Sequence, residues 1–239
     1  DAGATADGGE AVTASGTVNT SVPGTYTRTY SASDSTGNTA TATRTVTVED
    51  TTPPVITNVT AGWGASLNGA EANSDGTVTV DTSGAEDNQT VTVTLNSVVY
   101  TGTVISDTAS VTVSASGLQA LADGSTQALT VNVSDEAGNA ATTNTGTSFT
   151  VDTTAPVVPT VAVTSSTTDT TPDFSGTAEV GSTVTILDDG TVLGQSTADA
   201  NGDYTFTPGT PMTVGTHVVT VKATDAAGNV SSVSSDTSL

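Results

Sequence analysis

The chain has 239 residues, 34% hydrophobic and 3% aromatic, with 25 Asp and Glu against three Lys and Arg and a formal charge of −22. Such a balance excludes a nucleic-acid partner, whose phosphates need Lys and Arg, and argues against an anionic membrane surface. Absence of cysteine excludes disulfides and thiol chemistry, and no apolar run approaches the ~20 residues a membrane span needs.

Thr, Val, Ser, Ala and Gly dominate, and no stretch carries a helical period over three turns. β-branched residues favour strands, and the Gly, Asn and Asp between them favour turns. The fold class is therefore all-β, with thin cores built mainly from Val. Self-repulsion at this charge weakens a compact state unless salt or bound cations relieve it.

In chain order, residues 1–50 open on a stretch without a strand-forming run and reach GTYTRTYSAS, where Tyr26, Arg28 and Tyr30 share one face by period-2 alternation. A turn follows, Asp34-Ser-Thr-Gly-Asn38, then a run to Val48, then Asp50-Thr-Thr-Pro-Pro54. Asp accepts hydrogen bonds from nearby backbone N–H groups, and Gly and Asn tolerate positive φ, so the turn joins two strands. The Asp-Thr-Thr-x-Pro segment cannot continue a ladder and is a short linker. This first segment is too short for a complete sandwich and is read as the C-terminal part of a domain.

The cassette recurs after about a hundred residues, a usual domain size. The second turn is Asp135-Glu-Ala-Gly-Asn139, followed by a strand closing on Phe149 and Val151 and by Asp152-Thr-Thr-Ala-Pro156. Residues 51–152 form a full module with strands expected at VITNVT, GTVTVDTS, TVTVTLNS, VVYTGTV, ASVTVSAS, TQALTVNVS and GTSFTVD. WGASLNGAEANSDG is a long loop carrying Trp63, Asn68, Glu71, Asn73 and Asp75, and Gly117–Gly124 holds a helical turn with Leu118 and Leu121 on the core.

Residues 153–239 form a third module, with strands expected at TVAVTSS, DFSGTAE, STVTILDDG, TVLGQSTAD, DYTFTP, THVVTVKATD and NVSSVSS. It carries the third turn, Asp225-Ala-Ala-Gly-Asn229, and is read as truncated near its C-terminus. Short strands with a turn signal every several residues are the pattern of an immunoglobulin-like sandwich. The whole reads as a tandem array of such sandwiches, an internal fragment of something longer.

The second module, from TPPVITNVTAGWGASLNGAEANSDGTVTV to FTVDTTAP, resembles the extender repeats of giant bacterial RTX adhesins. The third, DTTPDFSGTAEVGSTVTILDDG to TDAAGNVS, resembles the bacterial Ig-like repeat of the same surface and biofilm proteins. The first is similar to a further bacterial Ig-like module found beside them. The glycine-rich RTX nonapeptides and the ligand-binding tip domains are missing. The resemblance implies an extracellular stalk on the bacterial surface, stiffened by calcium near its linkers, whose partners are neighbouring repeats of the same chain.

The residues offer calcium ligands. In a sandwich of this type the turn before the last strand lies beside the incoming linker. That gathers Glu49 and Asp50 with Asp135 and Asn139, aided by Glu86 and Asp87, at the first junction. At the second it gathers Asp152 with Asp225 and Asn229, and with Asp199, Asn201 and Asp203 from TADANGDY; Glu71 reaches the same junction from the other side. Mixed carboxylate, amide and carbonyl oxygens suit a six- to eight-coordinate Ca²⁺. The same residues also serve as turn caps, a role that needs no metal. His217 stands in a strand without a Cys or His partner, short of the ligand count of a zinc site. Two other classes compete with the stalk. A carbohydrate-binding or accessory module would stack a sugar on Trp63, whereas a Trp covering the core needs no ligand. An enzyme would need a cleft lined by aromatics, and no small-molecule substrate is indicated.

Overall fold

A computed structural model describes residues 4–146, 148–163 and 168–239. Residues 4–50 form one antiparallel sheet, in the order β1 (Thr13–Ser15), β2 (Gly24–Ser33), β3 (Thr39–Val48). The β2–β3 hairpin runs in unbroken register from Gly24↔Val48 to Ser33↔Thr39. None of the described residues in this segment is buried. A sheet whose residues are at most half-buried gains little from apolar burial.

Residues 54–152 bury a core of their own. One layer holds β4 (Val55–Ala61), β6 (Gly76–Ser83) and β9 (Thr108–Val113); the other holds β7 (Thr90–Leu95), β8 (Val98–Ile105), β11 (Thr130–Asn132) and β12 (Asn144–Thr145). β8 belongs to both, because it pairs with β7 from Val98 to Thr103 and turns onto β9 at Val104 and Ile105. Alternation fills the space between the layers with Val78 and Val80, Val91, Val93 and Leu95, and Val111 and Val113, all essentially inaccessible. A small third sheet closes one end, with β5 (Ser66–Leu67) parallel to β13 (Phe149–Val151) and β10 (Thr126–Gln127) on the far side.

The loop carrying Trp63 is more ordered than its composition suggests. Asn68 caps the short helix α1 (Gly69–Ala72): its side chain accepts from Glu71 N, and the Glu71 carboxylate accepts from Asn68 N. This reciprocal pair is a capping box, spelled Asn-x-x-Glu in the sequence. The helical turn expected at Gly117–Gly124 is α2 (Ala115–Gln119), which starts earlier because the Ser114 hydroxyl caps it at Gly117 N. Leu118 and Leu121 pin that region to the core.

Residues 168–239 build a second sandwich. β14 (Phe174–Thr177) pairs with β17 (Asp203–Phe206), and β15 (Thr183–Asp188) lies between β16 (Thr191–Thr197) and β18 (Val218–Thr224), with β19 (Thr237–Ser238) on the outer side of β18. Phe174, Val184, Ile186, Val219 and Val221 are inaccessible. The strand expected at TVAVTSS lies partly outside the described residues; its described part bridges Ala162 to Ser175. NVSSVSS is not a regular strand. The Ser231 and Ser234 hydroxyls accept from Ala223 N and Val221 N, taking the place of ladder carbonyls. Among the described residues no helix is long and apolar enough to cross a membrane.

Candidate functional site

The three repeated turns share one construction. In each, the Asp N–H donates to the Asn main-chain carbonyl, at 3.0 Å for Asp34, 3.1 Å for Asp135 and 3.0 Å for Asp225. The Gly before the Asn takes positive φ, 92° at Gly37, 91° at Gly138 and 95° at Gly228, which a side chain would strain. One oxygen of each Asp carboxylate then accepts from the Asn N–H, and the other accepts from the Asn amide at 2.8, 2.8 and 2.9 Å. Bonding of this kind favours the ionised carboxyl. The Asn38 amide, aided by Thr36, holds the Asp34 carboxyl well below the ordinary carboxylate range, and the Asn139 amide does the same to Asp135.

The Asn amide also reaches out of its own turn. Asn139 Nδ2 donates to the Asp50 main-chain oxygen at 3.1 Å, tying the second module's turn to the first linker. Asn229 Nδ2 donates to the Asp152 main-chain oxygen at 2.8 Å and approaches Asp152 Oδ1 at 3.4 Å. Its Oδ1 accepts from Gly69 N at 2.7 Å, which fixes the orientation of the amide. Asn229 is therefore buried among the linker, its own turn and the tip of α1. Asn68 Nδ2 adds a bond to Ala227 O at 3.1 Å.

Sequence reading missed Asp123. One of its carboxylate oxygens accepts from Thr153 N at 2.6 Å and Thr153 Oγ1 at 3.0 Å, the other from Thr154 Oγ1 at 2.7 Å. These bonds, the Thr153 N–H foremost, hold the Asp123 carboxyl below its ordinary value. The second linker is thus held from behind by Asp123 and from ahead by Asn229.

The residues named as calcium ligands fall into separate groups. Asp152, Asp225 and Asn229 meet at the second linker. Asp50, Asp135 and Asn139 meet at the first. Glu86 bonds Glu136 N, and Glu71 is engaged in its capping box. Asp199 and Asp203 lie in the tight turn between β16 and β17, where Asp199 Oδ1 accepts from Asn201 N at 2.8 Å and Asp203 N at 3.0 Å. These bonds, led by the Asn201 N–H, hold the Asp199 carboxyl below its ordinary value. The donors at the two linkers are oxygens of the hard kind that calcium prefers. The space among Asp152 O, Asp152 Oδ1 and Asp225 Oδ2 is filled by the Asn229 amide, so an ion there would take the outward lone pairs that the amide leaves free.

One further group comes together among the described residues: ligand atoms of Asp188, Asp189 and His217 lie within 4.8 Å of one another. Sequence reading missed it because Asp188 and His217 are distant in the chain and adjacent only across the end of β15 and β18. His217 is 7% exposed. Its Nδ1 lies 3.0 and 2.9 Å from the Asp188 oxygens, and its Nε2 lies 2.8 Å from Thr213 O. Neither a carboxylate nor a carbonyl can donate, so these contacts favour the ring with a proton on both nitrogens. The Thr213 carbonyl first, then Asp188, raises its pKa above the ordinary histidine value. Folding is therefore stabilised below the unfolded pKa near 6.5, and that contribution is lost as pH rises through the higher folded value. His217 is the chain's sole histidine, so one imidazole resonance followed by NMR reports it. The expected midpoint lies above about 6.5, and Asp188→Asn should lower it. A midpoint at or below the ordinary value would contradict the ion pair.

Trp63 is a core residue. It is 6% exposed and meets Phe149 edge to face, with ring centroids 5.2 Å apart. Its ring is not available as a sugar platform.

Residues 162–239 match the bacterial Ig-like domain family, and residues 1–48 match the Ig-like domain of bacterial surface proteins. No curated protein matches. Among solved structures, the chain is similar to a Ca²⁺-stabilized adhesin that helps an Antarctic bacterium reach out and bind ice, at 29% identity and TM-score 0.45. That match covers 90% of this chain and 55% of the adhesin structure, so this chain spans about half of it. A 1.5-MDa bacterial ice-binding adhesin matches at 28% identity and TM-score 0.47, over 90% of this chain and 72% of the other. The fibronectin(III)-like modules of Clostridium thermocellum CbhA match at 17% identity and TM-score 0.50, over 75% of this chain and 92% of theirs, a likeness of fold alone. These matches identify residues 1–48 with the Ig-like domain of bacterial surface proteins and residues 162–239 with the bacterial Ig-like domain.

Proposed function

We propose that this array is an extracellular stalk segment of a large bacterial surface adhesin, which spaces a ligand-binding region away from the cell. The observation that carries it is the pair of junctions, where the last turn of one module grips the linker that precedes it through Asn139 and Asn229. A chain whose polar groups are spent on tying module to linker, and whose sole tryptophan is buried, is built for spacing. Modules at 1–50, 51–152 and 153–239 with linkers at Asp50 and Asp152 fit this role, as does pairing with neighbouring repeats of the same chain. No residue is assigned to catalysis.

Calcium is the proposed structural cofactor. Glu49, Asp50, Asp135 and Asn139 would hold it at the first junction, and Asp152, Asp225 and Asn229 at the second, with Asp199 and Asp203 as a further acidic pair. The formal charge of −22 supports the need for a cation, because the acidic groups repel one another without one.

Thermal melting tests this. A cation binding only the folded state at a hundredfold excess over its Kd stabilises by about 2.7 kcal/mol, or roughly 10–20 °C in Tm for modules of this size. The expected result is a higher Tm in calcium than in chelator at matched ionic strength, reduced by Asp152→Ala with Asp225→Ala. Equal Tm values would remove calcium and leave turn capping alone. Retention of a glycan by the chain would favour the carbohydrate-binding reading instead.

A further inference from the structure

We propose that Asp188, Asp189 and His217 form a site for a divalent ion of the zinc class, on the third module and apart from both linkers. Among the described residues these are the one group of three metal-ligating side chains whose ligand atoms all lie within 4.8 Å of one another. Two carboxylates by themselves would be ordinary in so acidic a chain. The third member is different: a buried imidazole, 7% exposed, held so that one nitrogen faces the carboxylates. The other nitrogen, Nε2, lies 2.8 Å from the Thr213 main-chain oxygen, which can only accept. That bond keeps a proton on Nε2 and leaves Nδ1 as the atom that can give its proton up to a metal. A carbonyl behind the far nitrogen is a usual orienting partner of a metal-bound histidine. The two aspartates supply the ligands that the sequence around His217 lacks.

Charge and spacing both suit such an ion. With both carboxylates ionised and the ring protonated, the group carries a surplus negative charge. A divalent ion in place of the Nδ1 proton makes the group neutral, which matters in a chain of formal charge −22. Nδ1 lies 3.0 and 2.9 Å from the two Asp188 oxygens. Ligand atoms around a tetrahedral zinc, with bonds of about 2.0–2.1 Å, stand about 3.3 Å apart, so the ion needs only slight opening. Asp189 is exposed, and its Oδ1 accepts from Val218 N at 3.3 Å, which steadies the carboxylate beside the start of β18. Three protein ligands with a fourth position for water is the arrangement of open zinc sites. The nitrogen ligand selects against calcium, which takes oxygen. Because Asp188 ends β15 and His217 precedes β18, the ion clamps the β15–β16 turn to the start of β18. The Asp225 turn lies at the other end of that strand, about 25 Å away along an extended chain. The site is therefore separate from the ligands at the second linker.

Zinc binding to the full chain tests this, with Zn²⁺ itself as the probe. His217 is the sole histidine, so its imidazole resonances report this site whatever zinc does at other carboxylates. In chelator-stripped protein, a slight excess of Zn²⁺ should shift the ring to the tautomer with Nδ1 coordinated and Nε2 protonated, seen in its nitrogen resonances. Ca²⁺ at the same concentration should leave the ring where it was. Asp189→Asn keeps a side-chain acceptor for Val218 N and tolerates the positive φ of 47° at that position. It should leave the metal-free contact of His217 with Asp188 in place. Its zinc affinity should fall by at least about tenfold, the loss that even an outer-shell partner causes. A ring that does not respond to excess zinc would overturn the site. So would equal zinc affinity in Asp189→Asn, which reports a histidine taking up an adventitious ion only. An equal response to calcium would overturn the choice of ion. None of these outcomes bears on the linkers, so the stalk reading stands or falls separately.

Discussion

Replacing Trp63 with alanine is expected to destabilise the second module by roughly 3–5 kcal/mol, a large share of the 5–15 kcal/mol available to a domain. The ring is buried against Phe149 and closes the end of the core from the loop between β4 and β5. Gly76, the first residue of β6, shows how tightly it fits: a Cβ there would sit 2.6 Å from the Trp63 ring and 3.1 Å from Leu118. Gly76→Ala should therefore also destabilise, by overpacking of about 1–3 kcal/mol. Combined with Trp63→Ala it should cost far less, since the ring it collides with is gone. Calorimetry is the suitable measurement, because the second and third modules have separate cores and should melt separately. One transition should move and the other should not. An unchanged pair of transitions in Trp63→Ala would mean that the ring is dispensable to the core. Additive costs in the double variant would mean that Gly76 is needed for something other than Trp63.

Much of this architecture is legible in the sequence. The alternation in GTVTVDTS places Val78 and Val80 inward, and TVTVTLNS does the same for Val91, Val93 and Leu95. The Asp-x-x-Gly-Asn turns are local, so their internal bonds follow from residue types alone. Boundaries are less legible where side chains replace backbone partners, as Ser114 does at the start of α2 and as Ser231 and Ser234 do along β18. Contacts between distant parts of the chain are the least legible. The Asn68–Glu71 capping box is a readable spacing, but nothing in it says that Gly69 will meet Asn229. Asp123 carries no motif beyond a turn, and its hold on Thr153 follows from tertiary placement. The His217–Asp188 pair depends on the register of β15 against β18, which a one-residue slip would destroy.

On the proposed reading, those long-range contacts are what would turn a string of sandwiches into a spacer. A linker of Asp-Thr-Thr-x-Pro is stiffened by its proline at one torsion only. The remaining freedom must be removed by the modules on either side. At Asp152 Asp123 and Asn229 hold the linker, and at Asp50 Asn139 does.

Small-angle scattering from the full chain, in calcium and in chelator, measures that shape directly. A compact chain of this length would have a radius of gyration of about 18 Å. A rod of modules in line should give roughly twice that, with an extended tail in its pair-distance distribution. We expect the extended profile in calcium and a broader one, with a smaller radius, in chelator. Asp123→Ala together with Asn229→Ala, at the two residues that hold the second linker, should broaden the calcium profile. A radius close to the compact value, or a profile of freely jointed modules in millimolar calcium, would contradict the stiff stalk.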